Sequence, residues 1–79
     1  MTFNEFFKRC EFNFWEGYYD DLPYITVFFK GPLCEYEHSQ TIHKKLYFEN
    51  RKTAKELTAR SLYQELVAVG EINDFRRIS

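Results

Sequence analysis

Five cations are the residues of this chain best suited to chemistry by type and spacing: Lys44 and Lys45, then Arg51, Lys52 and Lys55. Asn50 just before the second group is a good helix N-cap, so Arg51, Lys52 and Lys55 fall in the first turn and a half of a helix. That placement is electrostatically unfavourable, because the positive end of a helix macrodipole prefers carboxylates or a bound anion. A phosphate backbone, a partner protein or plain solvation of the helix start would each accommodate it. As a phosphate clamp, the five side chains would act together with the free N–H groups of the first turn.

The other reactive residue types form no constellation. His38 and His43 have no acidic or cysteine companions at ligand spacing and read as surface histidines. Asp20-Asp21 and the Glu35/Glu37 pair resemble the paired carboxylates of acid–base catalysis, but a turn and a solvated strand edge explain them better. Ser39, Thr53 and Ser61 lack a base or an oxyanion context, and there is no glycine-rich phosphate loop. Cys10 and Cys34 fit no zinc pattern, and nothing supports a disulfide between them. The expectation is a domain with no catalytic residues, metal, cofactor or small-molecule substrate.

Seventy-nine residues suffice for one small domain, taken here as residues 1–79. A chain of this size buries only about 60% of its unfolded surface, so its core must be dense. Nine Phe, six Tyr and one Trp meet that need, each bringing roughly 150–250 Å² of buriable area. Aromatics in excess of one small core would stay at the surface, where such a patch marks an interface. The formal net charge of −1 removes any bulk electrostatic case for nucleic acid but permits local basic patches. No apolar run approaches the roughly 20 residues that span a bilayer, and the polar-aromatic N-terminus has no small-residue cleavage site. The expected setting is intracellular, cytoplasm or nucleus. The chain reads equally as a small whole protein or as a domain of a larger one.

The elements that must position the cations follow from local pattern. Thr2 with Glu5 three residues later resembles a capping box, and Phe3, Phe6, Phe7 and Cys10 recur at helical spacing, which predicts a helix from about Thr2 to Cys10. Phe12 and Phe14 share one strand face with Asn13 and Trp15 on the other, and Gly17 and Asp20-Asp21-Leu22-Pro23 are turn chemistry. Tyr24–Phe29, all β-branched or aromatic, is the strongest strand. Residues 33–40 read as a loop, although Cys34–Glu37 could extend an edge. Partial alternation over residues 41–49 predicts the third strand, carrying Lys44 and Lys45. Ala54, Leu57, Thr58, Ser61, Leu62 and Leu66 then give the apolar stripe of a final helix, which Gly70 stops. The summed order is α-β-β-β-α, an α+β fold with two helices on one face of a three-stranded antiparallel sheet. Small Ala54, Ala59 and Ser61 would let the helix approach closely, leaving the opposite sheet face partly free.

With Arg51-Lys52-Thr53-Ala54-Lys55 opening its last helix, this order resembles the double-stranded RNA-binding domain. The run Leu66-Val67-Ala68-Val69-Gly70-Glu71-Ile72-Asn73-Asp74 is similar to the end of a divergent member, the Dicer dimerisation domain, with the main coverage from Asn50 to Asp74. The resemblance implies a non-catalytic interaction module of a Dicer-like ribonuclease, an endoribonuclease of small-RNA processing and RNA silencing, that docks a partner's double-stranded-RNA-binding-like domain. The contact is expected on the exposed sheet face or a strand edge, through Trp15, Tyr18, Phe28 and Tyr47. The turn that RNA-binding members insert into the minor groove reads Asp20-Asp21-Leu22-Pro23 here, and its carboxylates would repel phosphate. Direct binding of single- or double-stranded RNA through Lys44, Lys45, Arg51, Lys52 and Lys55 is the alternative. A third reading is a small stand-alone regulatory or viral protein.

Overall fold

The computed structural model describes residues 1–16, 22–31 and 33–72. Tyr18, Tyr19, the Asp20-Asp21 turn, Pro32 and the Asn73-Asp74 end of the last motif lie outside the described residues. Those described form three helices and one sheet, in the order α1 (Phe3–Arg9), β1 (Cys10–Trp15), β2 (Tyr24–Lys30), β3 (Glu35–Thr41), α2 (Lys44–Glu49) and α3 (Arg51–Ala68). The sheet is antiparallel with β2 in the centre. The class is α+β, as the patterning predicts. No helix among the described residues is long and apolar enough to cross a membrane.

Helix α1 starts where the capping signal places it. The Thr2 hydroxyl accepts from the Glu5 N–H at 3.3 Å and donates to the Glu5 carboxylate, also at 3.3 Å. Strand β1 begins at Cys10 with no intervening loop, so Phe7 on the helix and Phe12 on the strand meet at 5.6 Å between ring centroids.

Alternation along β2 divides the sheet into two unlike faces. Ile25, Val27 and Phe29 point into the core, and register places Phe14, Phe12 and Cys10 of β1 beside them. The helices cover this side. Phe6 of α1 lies 4.6 Å from the Phe29 ring and 5.2 Å from that of Tyr63, itself in α3. Ala54, Thr58 and Ala59 are fully buried, so α3 sits close on the sheet, and the Thr58 hydroxyl is satisfied by donating to the Ala54 carbonyl at 3.0 Å. The small-residue expectation holds for Ala54 and Ala59. Ser61 is only half-buried and instead donates to Gln40 Oε1 at 2.9 Å, tying α3 to β3.

The third strand requires a correction. The segment read as a loop is β3, and the segment read as a strand contains α2. Strand β3 is an edge: only Tyr36, His38 and Gln40 face the helices, while Glu35, Glu37, Ser39 and Thr41 face outward. A strand with so little apolar content carries no period-2 hydrophobic signal. In residues 42–49 the alternation is incidental. Ile42 and Tyr47 enter a core cluster with Ile25 and Ala54, and Leu46 packs against it, which a single turn and a half of helix achieves. His43 caps α2, its Nδ1 accepting from the Lys45 N–H at 3.2 Å.

Helix α3 stops as the glycine predicts. Gly70 has φ +83°, the left-handed conformation a side chain disfavours. Its N–H donates to the Val67 carbonyl at 3.1 Å and the Glu71 N–H to that of Leu66 at 2.9 Å, the paired bonds of a Schellman motif. Ile72 then folds back into the core beside Leu66, and Glu71 accepts from the Tyr36 hydroxyl at 2.7 Å. The Leu66–Ile72 run that carries the resemblance therefore has a local physical reason, a helix stop stapled to β3.

Candidate interaction surfaces

The five cations do not converge on one site. Asn50 interrupts the chain between α2 and α3 with φ −147° and ψ 71°, and its Oδ1 accepts from the Thr53 N–H at 3.2 Å. It caps α3 as expected. Lys44 and Lys45 lie in the first turn of α2 rather than on a strand, and both are exposed, as is Lys52. Among the described residues these three lysines make no ion pair or ring contact.

Arg51 and Lys55 are engaged within the molecule. The Arg51 guanidinium lies 4.7 Å from the centroid of Phe14 and 5.1 Å from that of Tyr47. The Lys55 ammonium sits 5.7 Å from Phe12 and 5.8 Å from Phe14. Cations over ring faces at exposed sites contribute about 0.5–1 kcal/mol each. An unfavourable charge at a helix start costs about 0.3–1 kcal/mol. The two effects are of similar size and opposite sign, so the rings of β1 and α2 justify these cations without any phosphate. The spacing of Phe12 and Phe14 on one strand face and of Arg51 and Lys55 one helical turn apart was a usable signal, had the two elements been known to face each other.

The aromatic positions named for a partner interface divide three ways. Trp15 is 46% exposed on the outer sheet face and stacks on its cross-strand neighbour Tyr24 at 5.9 Å and 15°. Phe28 shares that face and is half-buried. Tyr18 lies outside the described residues. Tyr47 is not at a surface: it is 1% exposed and packs edge-on against Phe14 and Phe48. Strand parity would have placed Tyr47 outward, but the residue is helical, and that helix turns it into the core.

The outer face has a clear chemical layout. At one end is the Trp15–Tyr24 stack. In the middle are Asn13, Thr26 and Ser39, with 2.8 Å between the hydroxyls of the last two. At the other end Phe28 stands between Glu11 and Glu37 on the neighbouring strands, with the Lys30–Glu35 cross-strand pair beyond it. Carboxylates thus outnumber cations around Phe28, and this end of the face disfavours a phosphate backbone.

The shifted ionisable groups among the described residues are all held toward their protonated forms. Burial pushes the Cys10 thiol up to about 12, which keeps it protonated near neutral pH. Burial likewise raises Tyr47. The Tyr36 hydroxyl is raised by its hydrogen bonds to Cys34 and Glu71. Both cysteines are free, and no group of three His, Cys, Asp or Glu among the described residues could hold a metal ion. No protein-family model, curated protein or solved structure matches the chain.

Proposed function

We propose that the chain is a non-catalytic protein-docking module of double-stranded-RNA-binding-like type, as its resemblance to the Dicer dimerisation domain implies. The open face of its sheet takes a like domain of a partner in small-RNA processing. The observation that supports this reading is the outer face, which no described helix covers and where an exposed Trp15 is held by stacking on Tyr24 on the same face as a half-buried Phe28. Aromatic side chains already fixed by packing lose little entropy on docking and make effective anchors. The helix-first order, with α1 and α3 on one face, is compatible with such a domain.

RNA is the weaker alternative, since Arg51 and Lys55 already lie over rings and Glu11, Glu35 and Glu37 line the open face. Its remaining support is the exposure of Lys44, Lys45 and Lys52. An NMR titration with a double-stranded-RNA-binding-like domain, a short RNA duplex and single-stranded RNA separates the two. Docking predicts amide shifts at Trp15, Tyr24, Thr26 and Phe28 with the protein ligand, and weak salt dependence. Shifts restricted to α2 and the start of α3 with RNA, with affinity falling steeply with salt, would transfer the function to RNA. Silence with all three ligands would sink both readings.

A further inference from the structure

The two edges of the sheet are unequally protected. Among the described residues neither edge is paired with a further strand, so each presents free backbone groups. On the helix side β3 is tied down along its length: Tyr36 to Glu71, His38 4.0 Å from Glu65, and Gln40 to Ser61. Its outward row adds Glu35 and Glu37, which blunt the edge with charge. Among the described residues strand β1 has no hydrogen bond or ion pair to α3, and its outward row carries one carboxylate, Glu11, against two on β3. Its helix-side row, Phe12 and Phe14, is half-buried under the Arg51 and Lys55 side chains, and Arg51 itself remains exposed.

We infer that the β1 edge is a docking site for an extended acidic segment of a partner protein, added antiparallel as a fourth strand. Main-chain hydrogen bonds along Cys10–Trp15 would hold such a strand, and alternate side chains would set specificity. Its helix-side residues come to lie next to the Phe12 and Phe14 rings, within reach of the Arg51 guanidinium and the Lys55 ammonium. Carboxylates at every second position complete that arrangement by pairing with cations whose other face is on a ring. Glu16, exposed and continuing the same row past the strand end, places the preferred carboxylates toward Phe12 and Lys55.

Charge also decides between this occupant and a second copy of the chain. Antiparallel self-pairing about Asn13 would set Phe12 against Phe14 of the other copy and bring both copies' Arg51 and Lys55 onto one seam. Like charges juxtaposed in this way disfavour the pair. The site is distinct from the outer face of the proposed function, so either can fail without the other.

The test uses the full chain and a fluorescein-labelled octapeptide of alternating Glu and Val. The expected result is saturable binding with amide shifts concentrated in residues 10–15. Affinity should be at least about tenfold above that of the alternating Lys–Val peptide, as charge-assisted contacts require. N-methylation of alternate peptide residues should abolish binding without altering the protein. The Arg51→Gln/Lys55→Gln double variant, with its fold checked by circular dichroism, should weaken binding about tenfold. Equal binding of the Lys–Val peptide, indifference to N-methylation, or shifts on β3 instead of β1 would overturn the proposal. So would displacement of the peptide by single-stranded RNA, or dimerisation through β1 in its absence.

Discussion

Strand β2 belongs to two regions of the molecule with opposite duties. Its odd-numbered residues Ile25, Val27 and Phe29 are sealed beneath α1 and α3, while Tyr24 and Phe28 on the alternate positions remain half-buried on the outside. The same strand, with the same backbone pairing, thus supplies both the centre of the core and the floor of the open face. The covered side combines ring-to-ring packing with a close helix made possible by Ala54, Thr58 and Ala59. On the open side, among the described residues, the strands' own side chains form the layer, arranged as one aromatic stack, a hydroxyl row and an acidic end. Stability therefore resides on the covered side, the open side is the one proposed for docking, and substitutions should separate the two.

The largest effect is expected from Phe6→Ala, which empties a fully buried site between Phe29 and Tyr63. It should cost about 3–5 kcal/mol of unfolding free energy. The outer counterpart Trp15→Ala removes a cross-strand pair and should cost only about 0.2–1 kcal/mol, while abolishing the docking proposed for the open face. Urea denaturation of the two variants checks this, and a comparable loss in both would erase the division between the faces.

Next comes Gly70→Ala. The left-handed φ at this position should make alanine cost about 1–2 kcal/mol, although no atom crowds the new methyl group. Since the stop also seats Ile72, the loss belongs to the covered side, and the docking proposed for the open face should persist. A variant as stable as the parent in thermal unfolding would show that the Schellman motif is dispensable.

Arg51→Ala is expected to be milder, at about 0.5–1 kcal/mol, because it removes one partly solvated cation over two rings. A double-mutant cycle with Phe14→Leu measures the coupling directly. Zero coupling would return Arg51 to the pool of cations free for RNA.

A separate effect is confined to alkaline pH. Cys10 on the covered side rises from 9.0 to about 12, and buried Tyr47 rises from 10.0. In each case the unfolded chain ionises before the folded one, so their contribution is complete below pH 9 and is lost as pH climbs toward 12. Unfolding free energy should decline across that window, and Cys10→Ala should remove the part of the decline that begins at pH 9. A flat profile in the parent chain would contradict the burial assigned to these two groups.

Local signals made much of this fold legible. Thr2 with Glu5, the aromatic and β-branched run of β2, Asn50 and Gly70 each act through their own neighbours, so the first helix, the central strand and both ends of α3 could be read directly. Strand β3 could not. Its polar residues form a strand because β2 offers a pairing edge, and its order comes from Tyr36–Glu71 and Gln40–Ser61, contacts that span 35 and 21 positions. The candidate surface was half legible: Trp15 and Phe28 follow from strand parity, but Tyr47 does not, since α2 carries it under Phe14.

Sequence by itself determined the α+β class, the capped and glycine-stopped final helix, and the presence of cations at its unfavourable end, because propensity, capping and macrodipole are set within a few residues. Only the tertiary structure decided what those cations meet. Arg51 and Lys55 reach the rings of Phe12, Phe14 and Tyr47 from a helix that packs on β2 and β3, and long-range packing alone fixes that placement.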